Sequence, residues 1–320
     1  MRRILLLLTV LALVVAACGD GGEGGGDGEG GGTETITLVV NPWTASRLNA
    51  EIAANIIESE LGNPVEITEV NENDAMFTGL ADGDLDAVLE IWPSGVTDAE
   101  TAYIDEGTVV DLGELGAVGK IGWYVPRYVI EEHPELATWE GFQDPELAAL
   151  FATPDTGENG RFLGTDPSYS QYDEQIVENL GLPLEVVFSG SEPATVAELQ
   201  ARVAAEEPIL MYWWTPTAAI PAYDLVEVEL PAYTEECGAS AAAGDGGVDC
   251  DYPEDVLYKA ASAMLEEKDP AVFSFLQNFK ITTEDQLGML PAVEIDGGDP
   301  AEVAAQWVAD NEDVWRAWLP

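Results

Sequence analysis

The chain is poor in positive charge and holds one histidine. Eleven Lys plus Arg stand against 61 Asp plus Glu, a formal net charge of −50 over 320 residues. A surface of that sign repels a phosphate backbone, so nucleic acid is excluded as a partner. Anionic membranes and simple anionic solutes are disfavoured for the same reason. The lone His133, in Glu131-Glu132-His133-Pro134, is expected at an exposed helix end. No Ser-His-Asp or Cys-His set can be built around it. No G-x-G-x-x-G or Walker sequence occurs, which removes the common nucleotide-binding motifs. The chain has three cysteines, and no histidine lies near any pair of them, so no metal site and no cofactor are expected. After residue 17 no apolar run is long enough to span a membrane. The acids are spread along the whole chain and read as a solvated surface suited to high salt, where their repulsion is screened.

What is present begins with a leader. Met1-Arg2-Arg3 is basic and Ile4 to Ala17 is almost wholly apolar, so residues 1–17 read as a secretory signal. Val15-Ala16-Ala17-Cys18 resembles a bacterial lipobox, which implies cleavage before Cys18 and lipidation of its thiol. Residues 18–34 are Gly-rich and acidic, a flexible tether that cannot bury anything. The expectation is a body held by a lipid at the outer face of the cell membrane or in the periplasm, working in the aqueous phase. In an exported protein Cys237 and Cys250 are expected to form a disulfide.

The body has 47% hydrophobic residues across the chain to draw on, enough for two lobes or one large domain. Apolar runs predict strands over Thr35–Val40, Val65–Val70 and Asp86–Ile91, with helices between them. Strand alternating with helix argues a parallel, doubly wound α/β sheet. Further strands are expected at Lys120–Val125, Leu150–Thr153, Leu184–Phe188 and Leu225–Leu230. Thr165-Asp166-Pro167-Ser168-Tyr169-Ser170 reads as a helix start, whose free N–H groups would suit a carboxylate. Three helical segments close the chain, near Glu254–Glu267, Pro270–Phe279 and Pro300–Asn311.

The stretch Pro208-Ile209-Leu210-Met211-Tyr212-Trp213-Trp214-Thr215-Pro216 predicts a buried strand that ends at Pro216. Successive strand side chains face opposite ways, so only one of Trp213 and Trp214 can face a given cleft. Trp43, Trp92, Trp123 and Tyr169 also fall at strand ends or in turns. Ligands of open α/β sheets bind beyond the carboxyl ends of strands. Several aromatic faces converging there would make a box for a cation.

Four segments carry a family resemblance: Gly83-Asp84-Leu85-Asp86-Ala87 leading to Trp92-Pro93, Gly122-Trp123-Tyr124-Val125-Pro126-Arg127-Tyr128-Val129, Asp166-Pro167-Ser168-Tyr169, and Tyr212-Trp213-Trp214-Thr215-Pro216. On these the chain resembles the substrate-binding proteins of ABC importers for glycine betaine, proline betaine, carnitine and choline. The resemblance implies an α/β, two-lobed, periplasmic-binding-protein-like (type II) clamp. Lobe 1 would be residues 35–121 plus 227–320, with lobe 2, residues 122–226, inserted in it. It implies a non-catalytic receptor that cages a quaternary ammonium and delivers it to a membrane permease, a part in osmoprotection. Trp92 and Trp214 are the first cage candidates, then Tyr169 and Trp43, with Trp123 or Tyr124 as a fifth. A ligand carboxylate would meet backbone N–H groups around Ser168–Ser170. The sequence departs from some betaine binders, with Ser94-Gly95-Val96-Thr97 where they carry a His and no Gly-Cys pair. Choline, carnitine or another methylammonium compound therefore stands beside glycine betaine. A sensor of the same fold and a carbohydrate-active enzyme are the alternatives. For the enzyme, pairs such as Asp84/Asp86 or Asp166/Asp173 supply carboxylates, but no nucleophile–base set stands out.

Overall fold

A computed structural model describes Glu34–Pro320, apart from Glu72 and Ser170. The signal segment 1–17, the lipidation candidate Cys18, all of the 18–34 tether but its last residue, and Ser170 lie outside the described residues.

Among the described residues, nine strands build one mixed sheet. They are β1 (Ile36–Val40), β2 (Val65–Glu69), β3 (Ala87–Ile91), β4 (Val109–Pro126), β5 (Gly160–Gly164), β6 (Leu184–Phe188), β7 (Leu210–Thr215), β8 (Leu225–Val228) and β9 (Glu254–Ser262). The order is β2-β1-β3-β9-β4-β7-β5-β6, with β8 on β4. The pairs β1/β2, β1/β3, β5/β6 and β5/β7 are parallel, as strand–helix alternation predicts. The centre is antiparallel: β9 pairs with β3 and β4, and β4 pairs with β7 and β8. Strand β4, 18 residues long, ties the halves together. Its first part lies on β9 and its last part on β7 and β8.

Period-2 alternation gives the first half a core on each face. Ile36, Leu38, Ala87 and Leu89 pack with the C-terminal helices through Phe275, Leu290 and Trp307. The intervening Val39 and Val88 pack with Phe77 and Leu80 on the other face, and Ile91 joins them past the register shift between Val88 and Ile91 in the β3/β9 pairing. The helix Thr44–Ile56 buries Leu48, Ile52 and Ile56, a near-four spacing, in the first of these cores. A separate core in the second half gathers Ile121, Trp123, Phe162, Leu199 and Trp213.

Several segments differ from expectation. Leu150–Thr153 is not a strand; Ala149–Phe151 is a 3-10 turn and the strand is β5, ten residues later. Glu254–Glu267 is mainly β9, with only Leu265–Lys268 helical. Its Ala, Glu and Lys favour a helix, but β3 and β4 flank it and satisfy its backbone as a strand, so tertiary pairing overrides propensity. An unforeseen helix, Thr283–Glu294, precedes Asp296–Asp299. Thr165–Tyr169 is a turn, and the helix starts at Asp173. There Asp166 closes a local Asx-type turn, accepting from both the N–H and the hydroxyl of Ser168 at 2.9 and 2.7 Å. Lastly, His133 ends its helix as expected but is half-buried.

Candidate functional site

The site grows from three strand ends. Strand β3 ends at Ile91 and hands on Trp92; β1 ends at Val40 and the chain turns through Asn41 and Pro42 to Trp43. Strand β7 carries Tyr212, Trp213 and Trp214. Trp213 is fully buried, stacks on Trp214 at 4.4 Å between ring centroids, and donates to the Thr217 hydroxyl. Trp214 and Tyr212 line a cavity of about 40 Å³ together with Trp43, Trp92 and Tyr169. That is a few times the volume one water needs. Trp43 and Trp92 each pack against both the first-half and second-half cores, so the cavity lies at their junction.

Tyr169 is the bridge. Its ring meets Trp43 edge-on at 5.4 Å and Trp214 edge-on at 5.7 Å. Its hydroxyl donates to the Pro42 carbonyl at 2.7 Å. Burial raises its pKa far above the usual phenol range, so it stays a neutral donor.

Glu90 of β3, two residues before Trp92, lines the same cavity. It is 1% exposed. Its Oε1 accepts from the indole N–H of Trp43 at 2.7 Å and of Trp92 at 3.0 Å. Its Oε2 accepts from Asn49 at 2.7 Å and Gln286 at 3.1 Å. Burial pushes its pKa up, and the four donors pull against that shift. Sequence reasoning passed over Glu90; a lone carboxylate in Ala-Val-Leu-Glu-Ile, two residues from a candidate Trp, was the available signal. Tyr212 was likewise quoted only as part of a motif, although it stands at i, i+2 from Trp214.

The backbone makes room for these rings. A Cβ on Gly119 of β4 would sit 2.3 Å from the Trp92 ring, so the indole lies directly over that backbone. Asp255 at the start of β9 fixes the turn after Trp92, accepting from the Ser94 N–H and hydroxyl at 2.9 and 2.6 Å.

Not every predicted residue gathers here. Trp123 is fully buried in the second-half core and donates to Asp173 at 2.6 Å. Tyr124, 3% exposed, packs in that core as well. Neither lines the cavity, to which β4 contributes Ile121 instead. Ser168 does line it, but its N–H is spent on Asp166 and no helix N-terminus stands behind it. Around the cavity the polar side chains are Asn41, Asn71, Asn73, Ser168 and Glu90; among the described residues no Lys, Arg or His lines it. Nor do the described residues hold a group of His, Cys, Asp and Glu arranged for a metal ion. Cys237 and Cys250 are joined, at a Cα–Cα distance of 6.3 Å.

A mixed sheet with two lobes and an aromatic cavity at their junction defines a clamp-like solute-binding protein. The family model for the substrate-binding domain of ABC-type glycine betaine transport systems matches residues 34–310, and the chain belongs to that family. It is 29% identical over 285 residues to the trimethylamine N-oxide-binding protein of Pelagibacter ubique (strain HTCC1062), covering 88% of this chain and 89% of that one. Two solved structures share the fold. One is the glycine betaine, L-proline ABC transporter binding protein ProX from Borrelia burgdorferi, with a TM-score of 0.70 at 19% identity, covering 89% of this chain and 97% of that one. The other is an ABC-transporter choline-binding protein in complex with choline, with a TM-score of 0.69 at 20% identity, covering 89% and 91%. The family is one of extracytoplasmic solute-binding proteins, and no helix among the described residues is long and apolar enough to cross a membrane.

Proposed function

We propose that the protein is the receptor of an ABC importer, caging a methylated ammonium head between Trp43, Trp92, Tyr169 and Trp214 and delivering it to the permease. The observation that carries this is the convergence of these four side chains on one cavity with a buried carboxylate behind two of them. Methylated ammonium groups donate no strong hydrogen bonds, so ring faces replace water at little cost. Each desolvated contact contributes on the order of 2 kcal/mol. Glu90 strengthens the two indole faces by drawing on their N–H groups, and its own charge lies behind the rings.

The lining also bears on the choice of solute. No cationic side chain faces the cavity among the described residues, and the Ser168 N–H is occupied. A solute carboxylate would find no charged partner. We therefore place solutes without a carboxylate, such as choline or trimethylamine N-oxide, ahead of glycine betaine, proline betaine and carnitine. The relative named for trimethylamine N-oxide supports that order, while the family model is named for glycine betaine. In this reading the lobes divide near 121/122 and 226/227, and a lipid on Cys18 with the acidic tether keeps the receptor beside its permease.

Calorimetric titration of the tether-free protein with these five compounds tests the order. Micromolar or tighter binding of choline or trimethylamine N-oxide, at least tenfold tighter than the betaines, supports it. Tighter binding of glycine betaine reverses it.

A further inference from the structure

One buried carboxylate, Glu192, and one half-buried carboxylate, Glu294, cross the junction of the cores in opposite directions. Glu192 opens the helix Glu192–Ala205, which packs Leu199 into the second-half core. Its side chain leaves that core and lands on Thr44, the first residue of the helix Thr44–Ile56, whose apolar face belongs to a first-half core. Thr44 donates to it twice, from the backbone N–H to Oε2 and from the hydroxyl to Oε1, both at 3.1 Å. The return contact comes from Glu294, at the end of the helix Thr283–Glu294 that packs Met289 and Leu290 into the first-half core. Glu294 Oε2 accepts from the Thr217 hydroxyl and the Ala218 N–H, each at 2.8 Å, in the turn that leaves cage strand β7. The Trp213 indole donates in turn to Thr217.

We propose that Glu192 and Glu294 form a reciprocal pair of carboxylate clasps that holds the two walls of the cleft together around the solute. This rests on the reading of the aromatic cavity as the solute site. The positions fit the role. Thr44 directly follows the cage residue Trp43, and Thr217 lies three residues beyond Trp214. The Glu192 clasp therefore secures the segment after Trp43 to the opposite wall, and the Glu294 clasp holds the turn after Trp214 where the chain passes from Ala218 in the first-half core to Ala219 in the second. Neither glutamate lines the cavity, so both act as positioning residues.

Closure on these clasps is linked to pH. Glu192 is 4% exposed, and separating the walls would return it to water. Burial pushes its pKa up to about 8, and the neighbouring carboxylates of Glu294 and Glu90 add to that, while the two Thr44 bonds oppose it. Glu294 is raised by burial as well, opposed by Thr217 and by the Ala218 and Ala219 N–H groups. The neutral Tyr169 hydroxyl is the other titratable group that senses Glu192. In the open cleft a glutamate titrates near its ordinary value, about 4.3. Between that value and about 8, closing takes up a proton. Closure is thus favoured at low pH and weakens as pH rises through about 8.

The test uses Glu192→Gln, Glu294→Gln and the double variant, which keep an acceptor oxygen and remove the titration. Small-angle scattering follows compaction of the protein alone, and calorimetry follows affinity for choline, glycine betaine and trimethylamine N-oxide, at pH 6 and pH 9. The wild type is expected to be more compact at pH 6, and to lose at least about tenfold in affinity by pH 9, with proton uptake on binding. The double variant should be compact at both and change affinity by less than about threefold, as expected once the linked proton is gone. A pH step of wild-type size in the double variant, or no step in the wild type, overturns the clasps. If none of the three compounds binds, the cavity reading fails, while the scattering step still decides on the clasps.

Discussion

Trp43 and Trp92, from two different strand ends, donate their indole N–H groups to one oxygen, Glu90 Oε1. That shared acceptor fixes the two cavity-lining indoles relative to each other and, in the proposed reading, lets a carboxylate place its charge behind both rings. The other oxygen is held by Asn49 and Gln286, whose own carbonyl oxygens are buried without a hydrogen-bond partner. Those two free acceptors make a clean experiment available. In Glu90→Gln the new amide N–H groups can meet Asn49 and Gln286 after simple amide flips, so the geometry survives and the charge goes. Affinity for choline should fall about tenfold or more, in line with a desolvated charge and cation–π effect, with the melting temperature little changed. Unchanged affinity in a titration would show that the charge behind the rings contributes nothing.

Gly119 bears on Trp92 from below. A Cβ there would overlap the ring at 2.3 Å, and the atoms it meets belong to a large, rigid side chain. Gly119→Ala should displace the indole and cut affinity by about 1–2 kcal/mol, a common cost of overpacking. Circular dichroism should report an intact fold. Wild-type binding would mean that Trp92 can leave its place at no cost to the cage.

Asp173 gives the pH dependence of stability a direction. It is 1% exposed, and burial raises its pKa to about 7, against hydrogen bonds from Trp123 and Tyr252. Its Oδ2 is buried without a partner. The folded value lies above the unfolded one, about 3.9, so this group's contribution is full below pH 4 and is lost as pH rises through about 7. Asp173→Asn keeps an acceptor for both donors and removes the buried charge. Urea unfolding at pH 8 should show it about 1–3 kcal/mol more stable than wild type. A variant less stable at pH 8 would contradict that sign.

The disulfide serves the second-half core and not the cage. Cys237 and Cys250 are buried there and border a separate cavity of about 280 Å³, which shares no lining residue with the aromatic one. Replacing both with Ser should lower unfolding free energy by roughly 2–4 kcal/mol, the usual contribution of such a bridge. Solute affinity should stay within about threefold of wild type, since the two cavities share no lining residue. A larger loss of affinity, read by calorimetry, would tie this loop to closure.

Much of the first half was legible because its residues obey period 2 and period 3.6 together. Thr35–Val40 and Asp86–Ile91 show it, and they led directly to Trp43 and Trp92. The start of β4 was not legible. Glycines at 113, 116 and 119 interrupt its pattern, and one of them is there for Trp92. Strand β9 reads as a helix by propensity and becomes a strand only because β3 and β4 supply its partners. The helix Thr283–Glu294 hid behind an internal Pro291. At the site, aromatic residues could be nominated one by one from strand ends. Glu90, Glu192 and Glu294 could not, since in a chain with 61 acids a functional carboxylate looks like any other until its hydrogen-bond partners single it out.

The central claim is the aromatic cage, and the most direct measurement is calorimetric titration of Trp214→Ala and Trp92→Ala with the solute that wild type binds best. Each variant should lose about 1–4 kcal/mol of binding, as cage and hot-spot aromatics do, while keeping a cooperative unfolding transition. Wild-type affinity in both would contradict the cage and place the solute elsewhere.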